Sequence, residues 1–453
     1  MRILVAALVS IAGAAILAAG ARAPSSVAVL GPLSSVVTSD ADWYYCPPGL
    51  IDTGTADAQA NGQLCSFWLL SSFPLGGLRE PRLNSTSVPG LDVLPVWRRT
   101  RGQGVTVAVV DTGVDPSSTD LAPNLLAGFA AVKGERDASD ADGHGTLVAS
   151  IIAAAAGNGG YVGIAPEAKI LPIKVIGSGG SWSDAAFDRG VEYAVERGAR
   201  VINLSLGGLG APIAGAAKAL DDARRAGALV VIAAGNDGVD LDAPGNIEYP
   251  DGYGLPNTLT VAAFTTRGAL AGDSNFGARH VQIASLGANL WGDYPGNPTG
   301  GYLSGSSAAA ATVSGVAALL FAADPRASAA EVRRAIIVGA NRAIVSLHGK
   351  VEANGLLSAT GALAALARPD TTPPTSFAVG GPPFRFRLRT ETRVRFEWGE
   401  SHDAELEGYQ LTIDGRTSAF STGSRTAVVS LRAGGHRWSV SAYDLSGNRT
   451  AGR

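Results

Sequence analysis

Five short apolar runs constrain this chain more than any other feature. They are VTVAVV (Val105 to Val110), KILPIKVI (Lys169 to Ile176), ARVINLSL (Ala199 to Leu206), ALVVIAAG (Ala228 to Gly235) and TLTVAAF (Thr258 to Phe264). A strand with one wet face alternates apolar and polar residues. An unbroken run implies a strand covered on both faces, as in a parallel sheet. Helix-like segments alternate with these runs. Ser183 to Gly198 opens on a Ser or Asp cap and closes on a Gly, and Pro212 to Gly227 opens on a Pro. Strand–helix alternation of this kind predicts a parallel sheet with helices on both faces. In such sheets, sites form at the C-terminal ends of the strands.

The 453 residues leave room for two or three domains, one of them large. With 46% apolar and 17% charged residues, a sizeable core is expected and global disorder is not. The net charge of -3 argues against nucleic acid as a partner, which would need clustered Lys and Arg. At the start, Arg2 precedes an apolar run from Ile3 to about Gly20, and Ala21-Arg22-Ala23 fits a small-x-small cleavage pattern. This reads as a secretory signal over residues 1–23 and an extracellular protein. The alternative is an uncleaved membrane anchor, because the run is long for a signal core. Residues 24–93, rich in Ser, Gly and Pro, form an N-terminal extension or pro-segment. They carry the only two cysteines, Cys46 and Cys65, which in an exported protein are expected to form a disulfide.

Residues 94–367 hold the alternating pattern. RPDTTPPT (Arg368 to Thr375) reads as an extended linker within residues 368–377. Beyond it the period becomes two, in RVRFEW (Arg393 to Trp398), GYQLTIDG (Gly408 to Gly415), TAVVSL (Thr426 to Leu431) and HRWSVSAYD (His436 to Asp444). Residues 378–453 are therefore expected to form a small antiparallel β-sandwich. With its DTTPP lead-in and closing AYDLSGN, this part resembles fibronectin type III or immunoglobulin-like modules. A surface or polymer contact through it would suit an exported protein. A monomer is expected.

Three segments carry reactive groups. In VAVVDTGVD, Asp111 ends a buried strand. In DGHGTLVAS, His144 leads into an apolar helix. In LSGSSAAAATVSGVAALL, Ser307 opens an Ala-rich helix. A Ser hydroxyl is a weak nucleophile and needs an adjacent base. Imidazole can take that proton near neutral pH, and a buried carboxylate can hold its tautomer and stabilise its charged form. A helix N-terminus at Ser307 adds backbone donors and a favourable dipole.

In the order Asp, His, Ser, these segments resemble those of the subtilisin-like serine peptidases. The resemblance spans roughly Leu94 to Leu366. It implies an α/β peptidase domain that needs no cofactor for its chemistry and acts on polypeptide through an acyl-enzyme. It places Asn236 of AAGND where the family has its oxyanion amide, donating together with the Ser307 N–H. It also aligns NLSLGG with the strand that pairs with substrate, so that Ser205, Leu206 and Gly207 would offer main-chain hydrogen bonds. The Ala-rich run from Ala308 to Ala323 becomes a buried central helix. Three departures stand out. Ser306 replaces the usual Thr, Ala311 replaces a Pro four residues after the nucleophile, and Ser285-Leu286-Gly287 replaces a common Ala-Pro-Gly.

Two further readings rest on the resemblance. Asp120 sits where some members supply a calcium carboxylate, with carbonyls near Ala155, Gly157, Gly159 and Tyr161 to complete an oxygen shell. The alternative is an ordinary Gly-rich loop. Asp237 and Glu248 lie near the S1 pocket and could favour a Lys or Arg side chain by charge pairing. The alternative is that one or both face solvent. Two competing functions also remain. One is a non-catalytic exoprotein that keeps the fold for binding, which the changes at Ser306 and Ala311 leave open. The other is an active protease restricted to one maturation target.

Overall fold

The computed structural model describes residues 91–156, 161–210, 212–403, 405–421 and 424–453. The signal reading and the Cys46–Cys65 pair lie outside them. In chain order the first part comprises α1 (Val93–Trp97), β1 (Thr106–Asp111), β2 (Phe129–Ala130), α2 (His144–Ala153), β3 (Lys169–Lys174) and α3 (Asp184–Glu196). Then follow β4 (Val201–Leu204), β5 (Gly208–Leu209), α4 (Ala216–Arg225), β6 (Leu229–Ala233), β7 (Glu248–Tyr249), β8 (Thr258–Phe264) and β9 (Ile283–Leu286). β10 (Leu290–Tyr294), β11 (Asn297–Leu303), α5 (Ser306–Ala323), α6 (Ala329–Val338) and α7 (Ala359–Leu366) complete it.

The five apolar runs supply β1, β3, β4, β6 and β8. With β2 and β9 they form one seven-stranded sheet in the order β2-β3-β1-β4-β6-β8-β9. Every pair in it is parallel. Alternate residues of each unbroken run serve opposite layers. Val107 and Val109 of β1 pack with α2 and α5, whereas Ala108 and Val110 pack with α3 and α4. This two-sided burial is why the runs contain no polar alternation.

Local signals set the helix ends. Ser183 caps α3, its hydroxyl accepting from the Ala186 N–H at 3.1 Å. The expected helix from Pro212 begins later, at Ala216, because Gly215 before it takes a left-handed backbone. Pro212 fits a helical first turn but does not compel one. The α5 helix is long and apolar enough to cross a membrane. Here it is enclosed by the sheet and the helices around it, which accounts for its run of small side chains.

The C-terminal part contains β12 (Val379–Gly380), β13 (Arg385–Leu388), β14 (Thr392–Trp398), β15 (Leu406–Ile413), β16 (Arg416–Ser421), β17 (Thr426–Leu431), β18 (Gly434–Asp444) and β19 (Arg449–Ala451). They pair antiparallel in two sheets, β12-β14-β17 and β13-β18-β15-β16, with β19 added to β18. Phe396, Trp398, Tyr409, Leu411, Trp438 and Val440 fill the space between. This is the two-layer antiparallel sandwich that the period-two pattern predicts.

The Pro-rich connection is extended but not loose. Asn448 Nδ2 donates to the Asp370 carbonyl at 3.0 Å, and the Thr375 N–H donates to His402 O at 3.0 Å. On α6, Arg334 makes a two-point ion pair with Glu405, and Arg333 Nη1 lies 2.7 Å from Glu407 Oε1. Leu445 packs into the core of the first part. The sandwich is thereby fastened to α6 by buried charge and apolar contact.

Candidate active site

β1 ends at Asp111, and its neighbour β3 ends opposite at Lys174. The Asp111 carboxylate is fully buried. Its Oδ1 accepts from the Thr112 N–H at 2.7 Å and lies 2.7 Å from His144 Nδ1. His144 opens α2 and is also buried. Burial alone would push its imidazole down, but the Asp111 carboxylate, with Asp142 and Asp140 adding to it, more than reverses this and holds the pKa above its usual value. His144 Nε2 has no hydrogen-bond partner among the described residues. A buried imidazole with one nitrogen fixed on a carboxylate and the other open is set up to take a proton at Nε2.

Gly145 lets these two segments meet. A Cβ there would lie 2.1 Å from the Gly113 carbonyl oxygen and 3.2 Å from the Asp111 Cβ. Three residues that the sequence did not single out complete the junction. Asp140 Oδ1 accepts from the N–H groups of Asp142 and Gly143, and its Oδ2 accepts from the N–H and hydroxyl of Thr146. This builds the turn that presents His144. Thr146 Oγ1 in turn accepts from the Asp115 N–H at 3.0 Å, tying the His segment to the Asp segment. Lys174 Nζ, buried, donates to the carbonyls of Thr112 and Ser139 at 2.8 and 3.0 Å. The Asp140 bonds are local, within six residues, whereas those of Thr146 to Asp115 and of Lys174 join residues distant in sequence, which no local pattern announces.

Ser307 lies in the first turn of α5, after Gly305, whose φ of +105° favours glycine. Its hydroxyl donates to the Ser205 carbonyl at 3.2 Å. That bond is longer than the usual O–H···O range, so it holds the hydroxyl weakly. The helix start is pinned from β4. Asn203 Nδ2 donates to Ser205 Oγ, Ser205 Oγ donates to the Ser307 carbonyl, and Ser314 Oγ donates to Asn203 Oδ1. Ala311 is fully buried within an unbroken helix, so the helix keeps its start at Ser306 without a Pro there.

Ser306, read as a departure, has a definite use. Its N–H and hydroxyl both donate to Asn236 Oδ1, at 2.8 and 3.0 Å, and its Oγ accepts from the Gly235 N–H at 3.1 Å. With Oδ1 so engaged, the remaining polar group of the Asn236 amide is its Nδ2 donor. Asn275, also missed in the sequence, shapes this loop. It donates to the Ala234 carbonyl and accepts from the N–H groups of Asp237 and Val239.

The two acidic residues near the site part company. Asp237 is exposed, so it follows the solvent-facing alternative. Glu248 is 2% exposed. Its strand β7 pairs with β5, directly after Ser205, Leu206 and Gly207. Burial, with the Asp237 and Asp251 carboxylates nearby, pushes its pKa up to about 8, and its Oε2 has no partner among the described residues.

Asp120 serves the neighbouring loop. Its Oδ2 accepts from the Tyr161 N–H at 2.6 Å, and its carbonyl accepts from the Ala155 N–H at 2.7 Å. These bonds tie Asp120 into the loop that would supply the carbonyls of a calcium shell. Gly157 and Gly159 lie outside the described residues.

Comparison with known proteins decides the family. The Subtilase family model matches residues 102–362. This chain belongs to the subtilase family. It is 39% identical over 232 residues to M-protease of Shouchella clausii, an alignment covering 51% of this chain and 58% of that protein. To Subtilisin DY of Bacillus licheniformis it is 37% identical over 233 residues, covering 51% of this chain and 82% of the other. Among solved structures, a protease from Pseudoalteromonas arctica matches with a TM-score of 0.55 at 29% identity, over 61% of this chain and 94% of that one. MycP1 with its N-terminal propeptide removed matches with a TM-score of 0.53 at 29% identity, over 60% and 94% of the two chains. The match ends before the sandwich, which adds to the family's domain.

Proposed function

We propose that the chain is a secreted serine endopeptidase that cleaves extended polypeptide through an acyl-enzyme. The buried Asp111–His144 pair, with His144 Nε2 left open, is the observation that carries this reading. In the proposed reaction, Ser307 Oγ attacks the scissile carbonyl carbon while Nε2 takes its proton. Asp111 stabilises the imidazolium that results. Asn236 Nδ2 and the Ser307 N–H receive the developing oxyanion. His144 then protonates the departing amine. Water, deprotonated by the same imidazole, hydrolyses the ester and frees Ser307. Ser205, Leu206 and Gly207 would hold the substrate as an added strand. No step calls on a metal or other cofactor.

Secretion rests on the N-terminal apolar segment, not on likeness. A 36% identical relative from Bacillus subtilis is named the major intracellular serine protease. Residues 24–93 fit a pro-segment, in keeping with the propeptide named for MycP1. The intact set Asp111, His144, Ser307 and Asn236 favours catalysis over a binding-only role. Casein hydrolysis by the wild type and its loss in Ser307→Ala would support the proposal. Equal hydrolysis by both would refute it.

A further inference from the structure

We propose that Glu248 forms the floor of the pocket for the P1 side chain and selects Lys or Arg there; this rests on the peptidase reading above. Two backbone segments flank the reacting groups. One is Ser205-Leu206-Gly207, whose first carbonyl holds the Ser307 hydroxyl. The other is Gly235-Asn236-Asp237, which carries the oxyanion amide. The Glu248 carboxyl lies between them. A Cβ on Gly207 would lie 2.7 Å from Glu248 Oε1, and a Cβ on Gly235 would lie 3.1 Å from Oε2. Two glycines thus let both segments close on one acid. Gly235 also has a φ of +94°, which independently favours glycine.

Among the described residues, no cation acts on this acid. The charged groups acting on it are the Asp237 and Asp251 carboxylates. Asp251 is held by the Thr260 hydroxyl and faces His280 and Arg333, and Asp237 accepts from Asn275 Nδ2. Burial pushes the phenol of Tyr253, which packs on Tyr249, up to about 12, so it brings no charge. Near neutral pH, a buried carboxyl with an open oxygen in an acidic surround ionises only when a cation joins it. A P1 Lys or Arg would bring one to Oε2.

The chemistry predicts a coupled proton release. With its pKa at about 8, Glu248 is protonated in the empty pocket at pH 7. A basic P1 side chain would ionise it, whereas a neutral one would not. The preference for Lys over its uncharged isostere norleucine should therefore grow with pH and level off near 8. Taking the ratio cancels the titration of His144, which both substrates share.

The experiment measures kcat/KM for matched peptides with P1 Lys, Arg, norleucine, Leu, Phe and Ala between pH 6.5 and 9. Lys or Arg should lead at pH 8.5 by at least about tenfold. The Lys-to-norleucine ratio should rise by about tenfold between pH 6.5 and 8.5. Glu248→Gln should flatten that rise and abolish the lead while cleaving after norleucine. If Glu248→Gln does not fold, the wild-type ratio decides alone. Cleavage led by Leu, Phe or Ala, or a pH-independent ratio, overturns this inference and leaves the peptidase reading intact. A chain that cleaves none of the peptides overturns both.

Discussion

Glu248 should make the protein less stable as pH rises, and the size follows from its surroundings. Its pKa rises from 4.5 to about 8 on folding. Below pH 4.5 the carboxyl is protonated in both states and costs nothing. Between 4.5 and 8 the unfolded chain ionises while the folded one does not, so stability falls. Above 8 the full difference applies. A shift of about 3.5 units at about 1.4 kcal/mol each gives about 5 kcal/mol. Glu248→Gln removes this penalty and keeps the shape. The comparison is best made in a Ser307→Ala background, where self-digestion cannot confuse the melting curves. At pH 4 the two proteins should melt within a degree or two of each other, apart from any fixed offset of the amide. At pH 9 the Gln variant should melt higher by on the order of 5 °C or more. A difference that is the same at pH 4 and pH 9 would refute the argument, because it would place Glu248 in contact with water or with a cation.

Other residues give independent tests. Replacing Asn236 with Leu should lower kcat by about 10²- to 10³-fold with little change in KM, a magnitude established on subtilisin itself; an unchanged kcat would remove Asn236 from the oxyanion site. Because Asp111 raises the pKa of His144, the acid limb of kcat/KM for a neutral P1 substrate should lie above pH 6.5, and a limb near 5 would contradict the pairing. Glu407→Ala should destabilise the chain by about 1–3 kcal/mol, since it takes the nearest carboxylate from the buried Arg333 guanidinium, which keeps Glu352 at 3.9 Å and the Thr258 carbonyl. Urea denaturation would read this, and a change under 1 kcal/mol would mean that the sandwich is not fastened through that pair.

The parallel sheet was legible because β1, β3, β4, β6 and β8 are buried on both faces, which leaves an unbroken apolar signature. The short β2, β5 and β7 were not, because two residues cannot show a period. The start of α4 was misplaced because Pro212 suits a first turn in many contexts, while tertiary packing begins the helix after Gly215. At the site, Asp111, His144 and Ser307 each lie in a local motif and could be read directly. Lys174 and Asn275 could not, since their partners come from loops brought together only by folding, and Asp140 builds a local turn but carries no apolar or glycine signal of its own. Ser306 shows the opposite limit. Its difference from Thr looked like a loss, but the structure uses the hydroxyl and the N–H, which Ser supplies as well. Asp237 and Glu248 looked alike in sequence. Only burial separates them, and burial depends on β7 pairing with β5.

The central claim is that Ser307 is a nucleophile activated by His144. Labelling the folded chain with a fluorophosphonate, followed by mass mapping of the modified peptide, tests it most directly. One adduct per chain on Ser307, absent from Ser307→Ala and suppressed in His144→Ala, is the predicted result. No adduct on the folded wild type, or an adduct on Ser306 instead, would contradict it.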